Sequence, residues 1–257
     1  MFYNDSKEKG VLMSKLLIVE DSIIVQAVFK KLLDEINNFD YDLVSTYAEA
    51  KKLLSKRRYE YAVVEHILKD APHGEVIALF NKHYLAPLVF TKTIDEDFFD
   101  DFEGAQIVDY IKKVKYSNEV NVIKKLLQLQ ENKQTTVLVV SDSAIYSAYL
   151  KQNLNLHSFK VFNASNNEES YEKLALHPET SLLIIDSNEP YVNNIEVVQN
   201  AREKYNSDKL KIIVLVNETN SYETSQLLSA GADDYIVKDF SRAEFYVRVY
   251  QNINNLC

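Results

Sequence analysis

The stretch Lys15-Leu16-Leu17-Ile18-Val19-Glu20-Asp21 returns in altered form as Thr136-Val137-Leu138-Val139-Val140-Ser141-Asp142. Each is a short apolar run closed by polar or acidic residues, then a serine and a helix-like segment. Such a run is what a parallel strand buried on both faces requires. An internal repeat organises a chain before any single motif does, and further landmarks follow in the same order. Asp21 and Asp142 are 121 residues apart. The same 121 residues separate Glu65, closing Tyr61-Ala62-Val63-Val64, from Asp186, closing Leu182-Leu183-Ile184-Ile185. Thr91 and Val216 end two more apolar runs, 125 residues apart. Lys113 in Asp-Tyr-Ile-Lys-Lys and Lys238 in Asp-Tyr-Ile-Val-Lys keep that offset of 125.

Each copy alternates strand and helix. The pattern predicts strands at 15–19, 41–45, 61–65, 87–91 and 107–111 in the first copy. In the second it predicts 136–140, 158–162, 181–185, 210–216 and 234–237. Ile23–Glu35 reads as a helix whose apolar stripe is Val25, Val28, Phe29, Leu32 and Leu33. Ser241-Arg242-Ala243-Glu244 has capping-box spacing and opens a last helix with Phe245, Val249 and Ile253 on one face. Strand–helix alternation gives a parallel sheet with helices on both faces. The expected fold is therefore α/β, two five-stranded (βα)5 domains in tandem. Residues 1–13 read as a disordered tail ahead of the start-like Met13, 14–131 as the first domain, 132–135 as a linker and 136–257 as the second. The linker Asn-Lys-Gln-Thr holds no Gly or Pro, which predicts closely coupled domains.

Composition narrows the function. The chain of 257 residues has a net charge of −9 and a sequence pI near 5.2. That balance argues against nucleic acid as a partner, because phosphate backbones are held by clustered Lys and Arg. No apolar run is long enough to span a membrane. The lone cysteine, Cys257, excludes an internal disulfide and suits a reducing cytoplasm.

In an open parallel sheet, ligands bind beyond the carboxyl ends of the strands, where every landmark residue falls. The second copy gathers Asp142, Asp186 and Lys238 there, beside Ser141. Two carboxylates so placed repel one another unless a cation sits between them, and an all-oxygen ligand set suits Mg²⁺. An Asp next to a divalent cation and a Lys can attack a phosphoryl donor, giving an acyl phosphate able to reposition nearby loops.

This ordered set resembles the receiver domain of bacterial two-component response regulators, a flavodoxin-like fold. The family has an acidic pair after strand one and the phospho-accepting Asp after strand three. A Thr or Ser follows strand four, and a Lys follows strand five. The most specific stretch is Gly231-Ala232-Asp233-Asp234-Tyr235-Ile236-Val237-Lys238, although Asp239 stands where the family usually has Pro. The resemblance runs from about Ser14 to Leu256. It implies Asp186 as phospho-acceptor, with Asp142, Asp186 and the backbone carbonyl of Asn188 holding Mg²⁺. It implies Lys238 at the phosphoryl group and Tyr235 as the switch aromatic. In the first copy Glu20 and Asp21 match the acidic pair, Thr91 the hydroxyl, Lys113 the lysine and Tyr110 the aromatic.

The copies depart from the pattern differently. Glu65 occupies the acceptor position of the first copy; one methylene longer, it intrudes where cation and phosphoryl would sit. In the second copy Ser141 replaces the first acid, which weakens metal binding, and Val216 replaces the hydroxyl. Phosphate is thus expected on the second copy alone. His66 and His73, in the loop after the third strand, have no third nitrogen or sulfur ligand to support a metal role and read as solvent-facing loop residues. The acidic-aromatic stretch Asp95–Glu103 reads as a solvated amphipathic helix in the fourth-helix position.

The resemblance implies a sensor histidine kinase as partner, homodimerisation, and a GGDEF diguanylate cyclase output domain in the full-length protein, because tandem receivers precede that domain in similar regulators. The chain itself holds no GGDEF motif and is expected to have no enzymatic activity. Two alternatives compete. A phosphorylation-independent pseudo-receiver scaffold is favoured by Glu65, Ser141 and Val216. A flavin or nucleotide enzyme of similar topology lacks the glycine-rich turn it would need, with only four glycines in the chain.

Overall fold

A computed structural model describes residues 13–92, 104–114, 118–186, 193–218 and 220–254. The chain divides into two compact units, Met1–Gln128 and Leu129–Cys257.

In the first unit the strands are β1 (Ser14–Val19), β2 (Phe39–Val44), β3 (Tyr61–Val64), β4 (Leu88–Thr91) and β5 (Asp109–Lys112). The described helices are α1 (Ile23–Ile36), α2 (Tyr47–Leu54), α3 (Glu75–Lys82) and α4 (Asn118–Asn132), and the division between units falls within α4. The strands pair in parallel in the order β2-β1-β3-β4-β5. The second unit repeats this plan with β6 (Thr136–Ser141), β7 (Lys160–Ala164), β8 (Thr180–Asp186), β9 (Lys211–Val216) and β10 (Asp234–Val237). Its helices are α5 (Ala144–Leu156), α6 (Asn167–Leu176), α7 (Asn194–Lys204), α8 (Ser221–Ala230) and α9 (Arg242–Ile253). Its order, β7-β6-β8-β9-β10, is the same permutation. Two five-stranded parallel sheets with flanking helices are the fold the alternation predicts.

The inner strands are apolar because both faces are covered, whereas edge strands such as β2 (Phe-Asp-Tyr-Asp-Leu-Val) and β5 (Asp-Tyr-Ile-Lys) carry charged residues. In the second unit Leu138, Val140, Leu183, Ile185, Ile212 and Val214 pack beside Leu174 of α6, Val197 and Val198 of α7 and Leu227 of α8. Their neighbours Val137, Val139, Leu182, Ile184, Ile213 and Leu215 pack with Leu150 and Leu154 of α5 and Phe245 and Val249 of α9. The alternation of side chains along a strand divides one apolar run between two cores.

Serines turn strand into helix at corresponding places. Ser22 caps α1 by accepting from the Val25 amide, and Ser143 caps α5 by accepting from the Tyr146 amide. Ser241 likewise accepts from the Glu244 amide at 3.1 Å, as the capping-box spacing predicts. The predicted stripe of α1 is narrower than its pattern: Phe29 and Leu33 are buried, but Val28 is 37% exposed. The stretch Asp95–Glu103 lies outside the described residues. Among the described residues no helix is long and apolar enough to cross a membrane.

Candidate functional site

With β1 between β2 and β3, the crossovers leaving β1 and β3 diverge to opposite sides, which opens a crevice at the carboxyl ends of these strands. In the second unit Ser141 ends β6 and Asp186 ends β8, in register with each other. Asp186 is fully buried. Ser141 Oγ donates to Asp186 Oδ2 at 2.7 Å and accepts from the Ser143 amide at 3.2 Å. Lys238, just past β10, brings Nζ to 2.5 Å from Asp186 Oδ1. Its backbone amide bonds to the Val216 carbonyl at 2.7 Å, so the last strand fixes the root of this lysine. Its ammonium also stands 5.4 Å from the centroid of the Tyr146 ring. Burial, together with the negative charge of Asp186 and the nearby Tyr149 and Asp239, pushes the Tyr146 phenol up to about 12. Asp142 is half-buried at the mouth of the same crevice.

The first unit builds a more heavily charged version. Lys113 Nζ is 2.5 Å from Glu20 Oε2 and 2.6 Å from Glu65 Oε2, and all three side chains are nearly buried. Glu20 Oε1 accepts from the Ser22 amide at 3.1 Å. Burial pushes the Glu20 carboxyl up, against the pull of the Lys113 ammonium. Burial acts on Glu65 in the same sense, yet hydrogen bonds from His66, Lys113 and Thr91, with the Lys113 charge, outweigh it. They hold Glu65 down at about 2. Asp21 is half-buried beside this cluster. The Lys113 ammonium lies 5.0 Å from the Phe90 ring centroid, the aromatic support that Tyr146 gives Lys238 in the other unit.

Residues 137–250 match the response regulator receiver domain family. Two solved structures, each of a two-component system response regulator/GGDEF domain protein, align with 95% of this chain and 99% of their own. Both are 27% identical, with TM-scores of 0.81 and 0.80. Residues 137–250 form a response regulator receiver domain, and the first unit, alike in fold, is termed the first receiver. Among individual relatives, the transcriptional regulatory protein SrrA of Staphylococcus aureus is 34% identical over 113 residues. That match takes in 44% of this chain and 45% of SrrA, so the chain spans less than half the length of that relative.

The first receiver brings Glu20, Glu65, Thr91 and Lys113 together, and the second brings together Ser141, Asp186 and Lys238. Tyr110 and Tyr235 lie on β5 and β10; Tyr110 is 37% exposed and Tyr235 is half-buried. Asn188 lies outside the described residues. His66 corrects the sequence reading. It is buried, not solvent-facing, and its Nδ1 lies 3.4 Å from Glu65 Oε1. His73 is exposed, as expected. The aromatic supports Phe90 and Tyr146 escaped the sequence reading, because nothing in their spacing marks them as different from core residues. Among the described residues no group of three His, Cys, Asp or Glu is arranged to hold a metal ion.

Proposed function

We propose that this chain is the input module of a two-component response regulator, phosphorylated on Asp186 by a sensor histidine kinase. The observation that carries this reading is the fully buried Asp186 carboxylate with Lys238 Nζ at 2.5 Å and the Ser141 hydroxyl at 2.7 Å. A carboxylate so held attacks phosphorus, the bond from phosphorus to the donor nitrogen breaks, and the donor imidazole leaves. The Lys238 ammonium offsets charge on the transferring oxygens. Asp142 and Asp186 would supply oxygen-only ligands of low carboxylate number, which suits a hydrated Mg²⁺. Bound there, the ion would neutralise phosphoryl oxygens. Ile145, 85% exposed in the first turn of α5 beside Ser143, offers an apolar contact for the donor protein.

The first receiver is read as phosphorylation-independent. Its lysine already bridges two carboxylates, and Glu65 fills the space an acceptor would leave for phosphate. Signal from Asp186 then passes to an output through dimerisation or rearrangement of the domains. The GGDEF domain named in the two similar structures supports a diguanylate cyclase as that output.

Incubation with acetyl phosphate and Mg²⁺, followed by intact-mass measurement, tests the assignment. One phosphoryl group is expected on the wild type and none on Asp186→Ala. Labelling that persists in Asp186→Ala, or is absent from the wild type, overturns it.

A further inference from the structure

The first receiver carries a second concavity at the opposite end of its strands from the carboxylate–lysine cluster. It lies where the chain enters β3 and β4, between the carboxyl ends of α2 and α3, and has a volume of about 580 Å³. Ligand cavities typically run from roughly 300 to 1,000 Å³. Lys56, Arg57, Arg58 and Lys82 line it, and no carboxylate does. In a chain of net charge −9, four cations around one cavity are a local reversal of sign. Arg57 is oriented by an ion pair with Asp42 at 2.9 Å, and Tyr59 Oη donates to the same carboxylate at 2.6 Å. No ion pair among the described residues engages Lys56, Arg58 or Lys82, which leaves their charges available to a ligand.

Tyr84, at the rim, is the independent observation. Helix α3 ends in a motif in which the Tyr84 amide bonds to the Asn81 carbonyl at 2.9 Å and the Leu85 amide to the Phe80 carbonyl at 3.1 Å. That motif places Tyr84 in the left-handed region, with φ of 56°. Elsewhere the chain leaves helices through that region with Asn37, Ser158 or Gly231, which are small or form local hydrogen bonds there. Tyr84 does neither, and its side chain is 99% exposed. An aromatic in a strained backbone conformation, presented wholly to solvent, is not explained by packing.

We propose that this cavity binds a nucleotide, the phosphates held by Lys56, Arg57, Arg58 and Lys82 and the base stacked on Tyr84. Guanidinium groups clasp phosphate oxygens in bidentate fashion, and an exposed phenol ring gives a base a π-face. Stacking by one ring predicts a nucleoside triphosphate binding roughly tenfold more tightly than inorganic pyrophosphate.

The test titrates the full chain with ATP, GTP and pyrophosphate, read by calorimetry and by amide shifts in residues 54–59 and 82–85. At least one nucleotide is expected to outbind pyrophosphate and to move these segments. Tyr84→Gly, which suits the left-handed conformation, should raise the thermal midpoint while reducing nucleotide affinity to that of pyrophosphate. Arg58→Ala should weaken both ligands. The proposal fails if millimolar nucleotide leaves these amides unmoved, if pyrophosphate matches both nucleotides in the wild type, or if Tyr84→Gly leaves nucleotide affinity unchanged.

Discussion

Ser141 Oγ donates to the buried Asp186 carboxylate at 2.7 Å, at the structural position where the first receiver has Glu20 ion-paired to Lys113. The two pockets have therefore solved the same electrostatic problem in opposite ways. The first meets two buried carboxylates with one ammonium. The second removes a carboxylate and satisfies the remaining one with a neutral hydroxyl and an ammonium.

Substituting Ser141 should separate the structural role of this hydroxyl from its chemical one. Ser141→Ala removes a donor to a buried carboxylate and should destabilise the chain by about 1–3 kcal/mol in urea denaturation. Ser141→Asp restores the second acid and should tighten Mg²⁺ binding measured by calorimetry. Unchanged Mg²⁺ affinity would show that the lost acid is not what limits the site.

Lys113→Met leaves Glu20 and Glu65 buried with no ammonium between them. Removing one partner of a buried ion pair costs about 3–5 kcal/mol, and a chemical-denaturation midpoint reads it. Adding Glu65→Gln to Lys113→Met should recover part of the loss, because one uncompensated charge is removed. A further loss in the double variant would mean that Glu65 stabilises the pocket by contacts other than its charge.

The acid limb of stability should depend on Glu65. Its carboxyl is held at about 2 against an ordinary value of 4.5, so its contribution is fully present above about 4.5 and is lost as the pH falls toward about 2. Glu20, with its carboxyl pushed up, acts in the opposite sense: it takes up a proton before the unfolded chain does, and acidification favours the fold through it. Glu65→Gln should flatten the fall in stability between these pH values. An unaltered slope in thermal melts across that window would show that Glu65 is not its source.

Arg202 clamps the entry to the last two strands of the second receiver. Its Nε bonds to the Gly231 carbonyl at 2.7 Å, Nη1 to the Leu210 carbonyl at 2.8 Å and Nη2 to Asp233 at 2.5 Å. A Cβ added at Gly231 would meet Arg202 Cγ at 2.7 Å, and φ there is +113°. Gly231→Ala should therefore cost about 1–3 kcal/mol, read by hydrogen exchange at β9 and β10. Exchange as slow as wild type in those strands would refute the clamp.

Asn132 ends α4 inside the second unit. Its amide donates to the His157 carbonyl at 2.7 Å and to Tyr250 Oη at 2.9 Å, while Tyr250 Oη also meets His157 Nδ1 at 2.8 Å. Asn132→Ala should destabilise the second receiver by about 1–3 kcal/mol, because buried partners are left unsatisfied. Asn132→Asp keeps the size but loses the donor, so near-wild-type stability in that variant would argue against the hydrogen bonds.

Much of this was legible in the sequence because it is local or periodic. Apolar runs of strand length, serine caps and the repeat offsets are properties of neighbouring residues, and they predicted ten strands in order. The same landmarks placed Glu20, Glu65 and Lys113 in one pocket and Asp186 with Lys238 in another, because parallel strands bring all their carboxyl ends to one edge. Val28 is more exposed than its place in the apolar stripe suggests, and His66 more buried than its place in a loop suggests. The pattern shows which side of an element a residue faces, but not how far the neighbouring elements extend over it.

By itself, then, the sequence determined a tandem of α/β domains and the asymmetry between them, since Glu65, Ser141 and Val216 are substitutions at fixed points of a repeat. Only the tertiary structure decided what those substitutions do. It alone turned Ser141 into a donor to Asp186, drew Lys113 between Glu20 and Glu65, and buried His66 against Glu65. The physical reason is range. Hydrogen bonds and ion pairs act over a few ångströms. Ser141 and Asp186, and Lys113 and its two carboxylates, are separated by tens of residues that only the closed sheet brings together. His66, next to Glu65 in sequence, is buried only by elements distant in the chain.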